Sequence, residues 1–234
     1  MLRATDYKEN DKIVTLLTAE RGKLTAVLRG VRKNGAKLKF AAQPFCFAEY
    51  VLAEKSGRNT VTAVTQADGF YELREDIVAF YAASAVCEVC DVIQPEGDGA
   101  TDLFFLAIRA LRDMCTGNVT GALVGFLWKA LAVAGYALSC DVCANCGAEL
   151  GEGDGEERKI FFDFPSGTFT CGACKKGAGV SPTTLYILRK ADGTDCPGME
   201  TDDGKKRAIK LLSRYFTFRT EEPIHSLAEL LTVL

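Results

Sequence analysis

The stretch Lys12-Ile-Val-Thr-Leu-Leu-Thr-Ala-Glu-Arg-Gly-Lys-Leu-Thr-Ala-Val-Leu-Arg29 decides the fold of the first third of the chain. Its two halves, 12–18 and 23–29, are short and rich in β-branched and aliphatic residues, and Arg21-Gly22 between them is a turn signal. Working outward, Pro44-Phe-Cys-Phe-Ala-Glu-Tyr-Val-Leu52 and Thr60-Val-Thr-Ala-Val-Thr65 have the same character and are parted by Ser56-Gly57. Four or five short strands in about 70 residues avoid exposed edges by closing on themselves, which predicts a small barrel, with an SH3-like barrel or a small sandwich as variants.

From Asp76 onward the pattern changes to apolar runs at helical spacing, over 77–93, 100–115 and 122–136, separated by Gln94-Pro-Glu-Gly-Asp-Gly99 and Thr116-Gly-Asn-Val-Thr-Gly121. A glycine- and cysteine-rich stretch, 140–179, follows and holds one hairpin-like piece, 159–170; helices resume over 182–191, 205–218 and 226–234. The expected organisation is α+β, with a β domain over 1–76, a helical domain over 77–234 and a metal module inserted at about 140–179.

The 234 residues are 48% hydrophobic and 25% charged, which excludes a disordered or fibrous chain. No window is apolar enough to span a membrane and the start lacks a secretory core, so a cytoplasmic protein is expected. In a reducing compartment, clustered cysteines point to metal or redox chemistry rather than to a disulfide framework. The net charge of −3 is unevenly spread: residues 1–78 carry 13 Lys and Arg against 10 Asp and Glu.

Cys143-Ala-Asn-Cys146 and Cys171-Gly-Ala-Cys174 are two C-x-x-C pairs with 24 residues between them. Each pair lets one tight turn aim two thiolates at a single Zn²⁺, and two pairs complete a tetrahedron. One structural zinc is therefore expected on Cys143, Cys146, Cys171 and Cys174, with Gly147 and Gly172 shaping the turns and Lys175-Lys176 offsetting the thiolate charge. Cys140-Asp-Val-Cys143 is an alternative pair. Cys87-Glu-Val-Cys90 lies inside a predicted helix, where two small buried residues are the plainer reading; Cys46, Cys115 and Cys196 read as isolated thiols. A thiol redox protein is the rival reading of these pairs.

Residues 21–39 contain Arg21, Lys23, Arg29, Arg32, Lys33, Lys37 and Lys39 and no acid. Seven cations on one strand and its following loop make a field suited to phosphates, with Tyr7, Phe40, Phe45, Phe47 and Tyr50 as nearby aromatics, most of them expected in the barrel core. Lys205, Lys206, Arg207, Lys210 and Arg214 recur at helical spacing and read first as the wet face of an amphipathic helix. No phosphate loop, dinucleotide fingerprint or H-E-x-x-H is present, and His225, the single histidine, is expected in a helix-capping region. Asp202-Asp203 and Glu221-Glu222 sit in polar connections that give their carboxylates no apolar surround. A hydrolase or ATPase is disfavoured.

Together, Asp6-Tyr7-Lys8-Glu9, Asp11–Thr18, Arg21-Gly22-Lys23, Arg29-Gly30-Val31-Arg32-Lys33 and Gln43-Pro44-Phe45, followed by Gly135-Tyr136, Cys143-x-x-Cys146-Gly147 and Phe164-x-x-Gly167 ahead of Cys171-x-x-Cys174, resemble the bacterial RecO family of DNA repair and recombination mediators. The resemblance covers nearly the whole chain. It implies an amino-terminal OB-fold, a helical second domain carrying the zinc module, and no enzymatic turnover. It further implies binding of single- and double-stranded DNA, annealing of complementary strands coated with single-strand-binding protein (SSB) by way of that protein's acidic tail, and RecA loading together with RecR. The lead-in before Asp6 is shorter than that family's usual one, so a short first strand is expected. A zinc-ribbon protein that binds RNA is the alternative.

Overall fold

The computed structural model describes residues 1–151, 158–193 and 201–234, in two compact units, Met1–Gly117 and Asn118–Leu234.

The first unit holds β1 (Arg3–Tyr7), β2 (Asp11–Thr18), β3 (Gly22–Leu28), β4 (Phe47–Lys55) and β5 (Arg58–Asp68), then α1 (Ile77–Ile93) and α2 (Thr101–Cys115). The strands form one sheet in the order β1-β2-β3-β5-β4, antiparallel except for β3 against β5, where Ala26 faces Asn59 and Val27 faces Thr60. That order is OB-like. Among the described residues no ladder joins β4 back to β1, so the expected closure is not made by strand pairing. β1 has only 5 residues, β4 shifts register at Phe47/Ala48 and Val51/Leu52, and the two edges meet only ahead of the strands, where the Met1 amino group donates to the Cys46 carbonyl at 2.9 Å.

Strict alternation along β3 buries Gly22, Leu24, Ala26 and Leu28 and turns Lys23, Thr25 and Val27 outward. The buried set packs with Val14, Leu16 and Val61 into the sheet's core. Four consecutive residues of β2, Val14 to Leu17, are buried, because this strand is covered on both faces.

Two devices tie the helices to the sheet. Asp91 on α1 accepts from Arg3 of β1 at 2.9 Å and from Lys23 of β3 at 3.2 Å. The connection from α1 to α2 lies against the β2–β3 turn, with the Gly97 amide donating to the Lys23 carbonyl and the Ala100 amide to that of Ala19. Gly22 makes this approach possible: its φ is +59° and a Cβ there would sit 1.6 Å from the Asp98 carbonyl oxygen. These contacts place α1 and α2 in the compact unit of the sheet, whereas composition draws a boundary at Asp76.

The second unit begins with α3 (Val119–Val133), passes through β6 (Ile160–Asp163), β7 (Thr168–Cys171) and β8 (Ala178–Val180), and ends with α4 (Pro182–Asp192), α5 (Asp202–Thr220) and α6 (His225–Val233). α3 stops three residues short of the expected Tyr136 because Gly135 adopts φ +83° and the Tyr136 amide turns back to the Leu131 carbonyl at 2.8 Å. β8, which the sequence pattern does not announce, adds to the hairpin in the order β7-β6-β8. α4 is capped by Ser181 with Pro182 in its first turn, and α5 by the Thr201 hydroxyl on the Gly204 amide at 3.0 Å. The core is made by Phe126, Leu127 and Leu131 of α3, Leu188 of α4 and Leu212 and Phe216 of α5, with Phe162 and Phe169 of the small sheet against Tyr215. His225, expected in a helix-capping region, is the first residue of α6, directly after the N-cap Ile224.

Candidate nucleic-acid interface and metal centre

Along β3 and the adjoining starts of β2 and β5 lies a groove of about 1360 Å³, bounded by the turn after β1 and the turn between β4 and β5. Lys8, Arg21, Lys23, Arg29, Lys55 and Arg58 line it, against the carboxylates of Asp11, Glu20 and Glu96. The rim is built tightly: Ser56 and Gly57 both have positive φ, 51° and 70°, as a two-residue hairpin turn with matching twist requires. That turn sets Lys55 directly opposite Arg58 in the ladder. Like charges on one rung cost about 0.2–1 kcal/mol, so the arrangement favours an anion between them. Within the groove the Asn59 amide donates to the Thr25 carbonyl at 3.1 Å, and its Oδ1 is buried with no hydrogen-bond partner.

The seven cations expected from the sequence divide into three groups. Arg21 and Arg29 line the groove and are exposed. Lys23 also borders it, but its side chain is only 18% exposed and its ammonium is held by the Asp91 carboxylate and carbonyl, so it is engaged in holding α1. Arg32, Lys33, Lys37 and Lys39 sit on the exposed loop after β3, outside the groove lining; Arg32 pairs with Asp6 at 3.2 Å and donates to the Lys8 carbonyl. Sequence reasoning did not single out Lys8, Lys55 and Arg58, whose signal was a pair of cations flanking the Ser56-Gly57 turn. Of the five aromatics, Tyr7 reaches the groove, with the Lys8 ammonium 5.2 Å from its ring. Phe45 is buried, Phe47 stacks edge-on with Phe104, Phe40 and Tyr50 pack on the sheet core, and the Tyr50 hydroxyl donates to the Ala41 carbonyl.

In the second unit Cys143, Cys146, Cys171 and Cys174 bring their sulfurs within 4.8 Å of one another. The Cys146 and Cys171 sulfurs are 3.7 Å apart, and a tetrahedron with bonds of about 2.3 Å has edges of about 3.8 Å, so the donor set fits one thiophilic metal ion. Cys140 stands outside this cluster, buried, its carbonyl accepting from Arg189 at 3.3 Å. The two pairs are built alike: the Gly147 amide donates to the Cys143 carbonyl and the Lys175 amide to that of Cys171, each at 2.9 Å. Both closing residues are left-handed, Gly147 at φ +74° and Lys175 at +33°. Gly172, expected to serve the second turn, is not the left-handed residue; Lys175 is.

Burial raises the Cys143 thiol, but amide hydrogen bonds from Cys171, Cys146 and Asn145 outweigh it and bring the group down to about 6. The Asn145 side-chain amide donates to the Cys174 sulfur at 3.1 Å. Such donors are what thiolate ligands require. The expected charge offset by Lys175-Lys176 is not seen in that form: Lys176 pairs with Asp163 at 3.0 Å and the Lys175 ammonium lies over the Phe161 ring. Arg189 of α4 binds the module as a clamp, donating to the carbonyls of Cys140, Asp141 and Leu150. Cys87 and Cys90 are buried on α1, where desolvation pushes Cys87 up to about 11 and Cys90 well above the usual thiol range, so both are neutral. Cys196 lies outside the described residues.

A cavity of about 360 Å³ within the first unit is lined by apolar residues including Leu16, Phe45, Phe47, Phe104 and Phe105. The exposed carboxylates that border it, Glu20 and Glu49, make it a poor receptor for an acidic peptide. Among the described residues no helix is long and apolar enough to cross a membrane.

Two family models match this chain: Recombination protein O N terminal over residues 1–70 and Recombination protein O C terminal over 74–228. Among curated proteins it is similar to the DNA repair protein RecO of Desulforamulus reducens, 32% identical over 81% of this chain and 73% of that one. The DNA repair protein RecO of Anaeromyxobacter sp. strain K is 34% identical over 87% and 77%, and that of Nocardioides sp. is 29% identical over 97% and 95%.

Proposed function

The chain belongs to the RecO family, and from that premise we propose that it is a DNA repair and recombination mediator that binds single- and double-stranded DNA, anneals SSB-coated complementary strands and, with RecR, helps load RecA. The observation that carries this reading is the cationic groove along β3, framed by two hairpin turns and holding Tyr7. On this reading Lys8, Arg21, Arg29, Lys55 and Arg58 hold phosphates and Tyr7 stacks on a base, while Arg32, Lys33, Lys37 and Lys39 extend the phosphate track along the following loop. Lys23 contributes by fixing α1. Annealing takes its energy from base pairing; the protein lowers repulsion between the strands and raises their local concentration, with no covalent chemistry and no enzymatic turnover.

In the same reading residues 1–76 are the nucleic-acid module and 77–234 the helical domain, with the metal module at about 140–179, in line with family models that meet between 70 and 74. The ion on Cys143, Cys146, Cys171 and Cys174 is Zn²⁺, which fixes the knuckle and takes no part in a reaction. The protein works in the cytoplasm at the nucleoid.

Annealing of two complementary fluorescent oligonucleotides, each coated with the cognate SSB, tests the proposal. Acceleration that disappears with tail-less SSB is expected. Binding of a single strand should weaken with salt at a log–log slope between about −3.5, from the five groove cations alone, and about −6, with the four loop cations added, at about −0.7 each. A slope near zero, or a slope unchanged in the triple variant Arg21→Ala, Arg29→Ala, Arg58→Ala, overturns the groove assignment.

A further inference from the structure

In the second unit, Lys206, Lys210, Arg214 and Phe218 follow one another at four-residue intervals along α5. Successive members rise about 6 Å along the helix axis and stay on one slowly winding stripe. Lys210, Arg214 and Phe218 are exposed, Phe218 at 48%. The cations of this unit that serve the fold are recognisable by their partners: Arg189 binds three carbonyls, Arg207 pairs with Asp203 at 2.7 Å, and Arg219 binds the Tyr215 hydroxyl and the Pro165 carbonyl. Among the described residues no carboxylate pairs with Lys206, Lys210 or Arg214.

Aromatic rings accompany the stripe. The Arg214 guanidinium lies 4.8 Å from the ring of Phe164, which projects from the turn between β6 and β7 and remains partly exposed. Arg219, held on the Tyr215 hydroxyl and the Pro165 carbonyl, lies 5.7 Å from the Phe218 ring and 5.4 Å from that of Tyr136, so cation–ring contacts continue beyond Arg214. A wet helix face needs cations alone. Cations in register with exposed rings form the arrangement that grips phosphates and stacks unpaired bases.

We propose that the α5 stripe Lys206–Lys210–Arg214, with Phe164 and Phe218, is a second site for single-stranded nucleic acid, in addition to the groove along β3. The inference rests on the annealing reading, which requires two strands on one protein, and it assigns the second strand to this face. Lys206 and Lys210 hold phosphates, while Arg214, Phe164 and Phe218 offer planes to bases.

The test is photo-crosslinking of the full, metal-loaded chain with an oligothymidylate carrying 4-thiothymidine, the crosslinked peptides being mapped by mass spectrometry. Crosslinks are expected both on the β3 groove and on the segments containing Phe164 and Phe218. In the variant Lys206→Ala, Lys210→Ala, Arg214→Ala the second set should fall at least tenfold with the first unchanged; these side chains lie outside the core, and retained metal stoichiometry verifies the fold. A groove variant with Arg21, Arg29 and Arg58 replaced by Ala should show the opposite loss. Crosslinks confined to the groove overturn this inference and leave the groove reading standing; crosslinks confined to α5 overturn the groove reading alone. If an acidic peptide shields Lys206 and Lys210 from acetylation and the oligonucleotide does not, the stripe reads a protein tail and the proposal fails.

Discussion

The two small β-structures solve one problem by different means. A sheet of five strands and a sheet of three, the latter with strands of 4, 4 and 3 residues, differ in how much they bury on their own. The first has an apolar core of its own sheet and loop residues and is tied to the helices of its unit by an ion-paired Asp91 and a glycine that admits the α1–α2 connection. The second borrows from four sulfurs and one arginine. The difference teaches that the groove is as stable as packing makes it, whereas the knuckle is as stable as its ligand set. Its vulnerabilities are therefore chemical.

The largest effect should come from taking the metal away. A strong thiophilic chelator, or Cys171→Ser, should abolish hydrogen-exchange protection of 160–163 and 168–171 while leaving 11–18 protected, with a loss on the order of 5 kcal/mol or more for the module. Equal loss in both sheets would break the comparison. Next is Gly22→Ala, which meets both a left-handed backbone and a carbonyl oxygen; about 3 kcal/mol should be lost in urea unfolding, with the metal stoichiometry untouched. Arg189→Met leaves three carbonyls without their donor and should cost about 2 kcal/mol and weaken metal binding roughly tenfold, read by competition with a metallochromic indicator. The smallest effect sharpens the likeness of the two knuckle turns: Lys175→Gly relieves a left-handed residue and should raise the thermal midpoint by an amount equivalent to about 0.5 kcal/mol, whereas Gly147→Lys should lower it.

Much of this was legible in the sequence, for reasons that differ by element. The helices of the described residues announce themselves through apolar periodicity, with cap and breaker agreeing at Ser181-Pro182, whereas α3 begins at Val119, three residues before the expected start, with no side-chain cap from Asn118. The cysteine cluster was legible because C-x-x-C spacing is a local geometric constraint, although setting Cys140 outside it needed the third dimension. The groove was only half legible. Arg21 and Arg29 stand in a conspicuous run, but Lys8, Lys55 and Arg58 come from distant turns and meet through the parallel pairing of β3 with β5, which no local pattern encodes. Lys23 shows the converse: a member of the run, it is withdrawn by Asp91, more than 60 residues away in the chain. Lys175, read from the sequence only as a charge offset, escaped notice as a turn residue because its left-handed backbone belongs to a position where glycine is expected.

The rung on which Lys55 faces Arg58 makes the tip of the β4–β5 hairpin an electrostatic spring. With no anion present the like charges oppose a pairing that the Ser56-Gly57 turn holds in register, and dilute salt strengthens the opposition because screening is weaker. On the proposed reading, a phosphate between the two side chains would turn the same pair from a wedge into a clasp, so that ionic strength and polyanion occupancy would act on one groove wall.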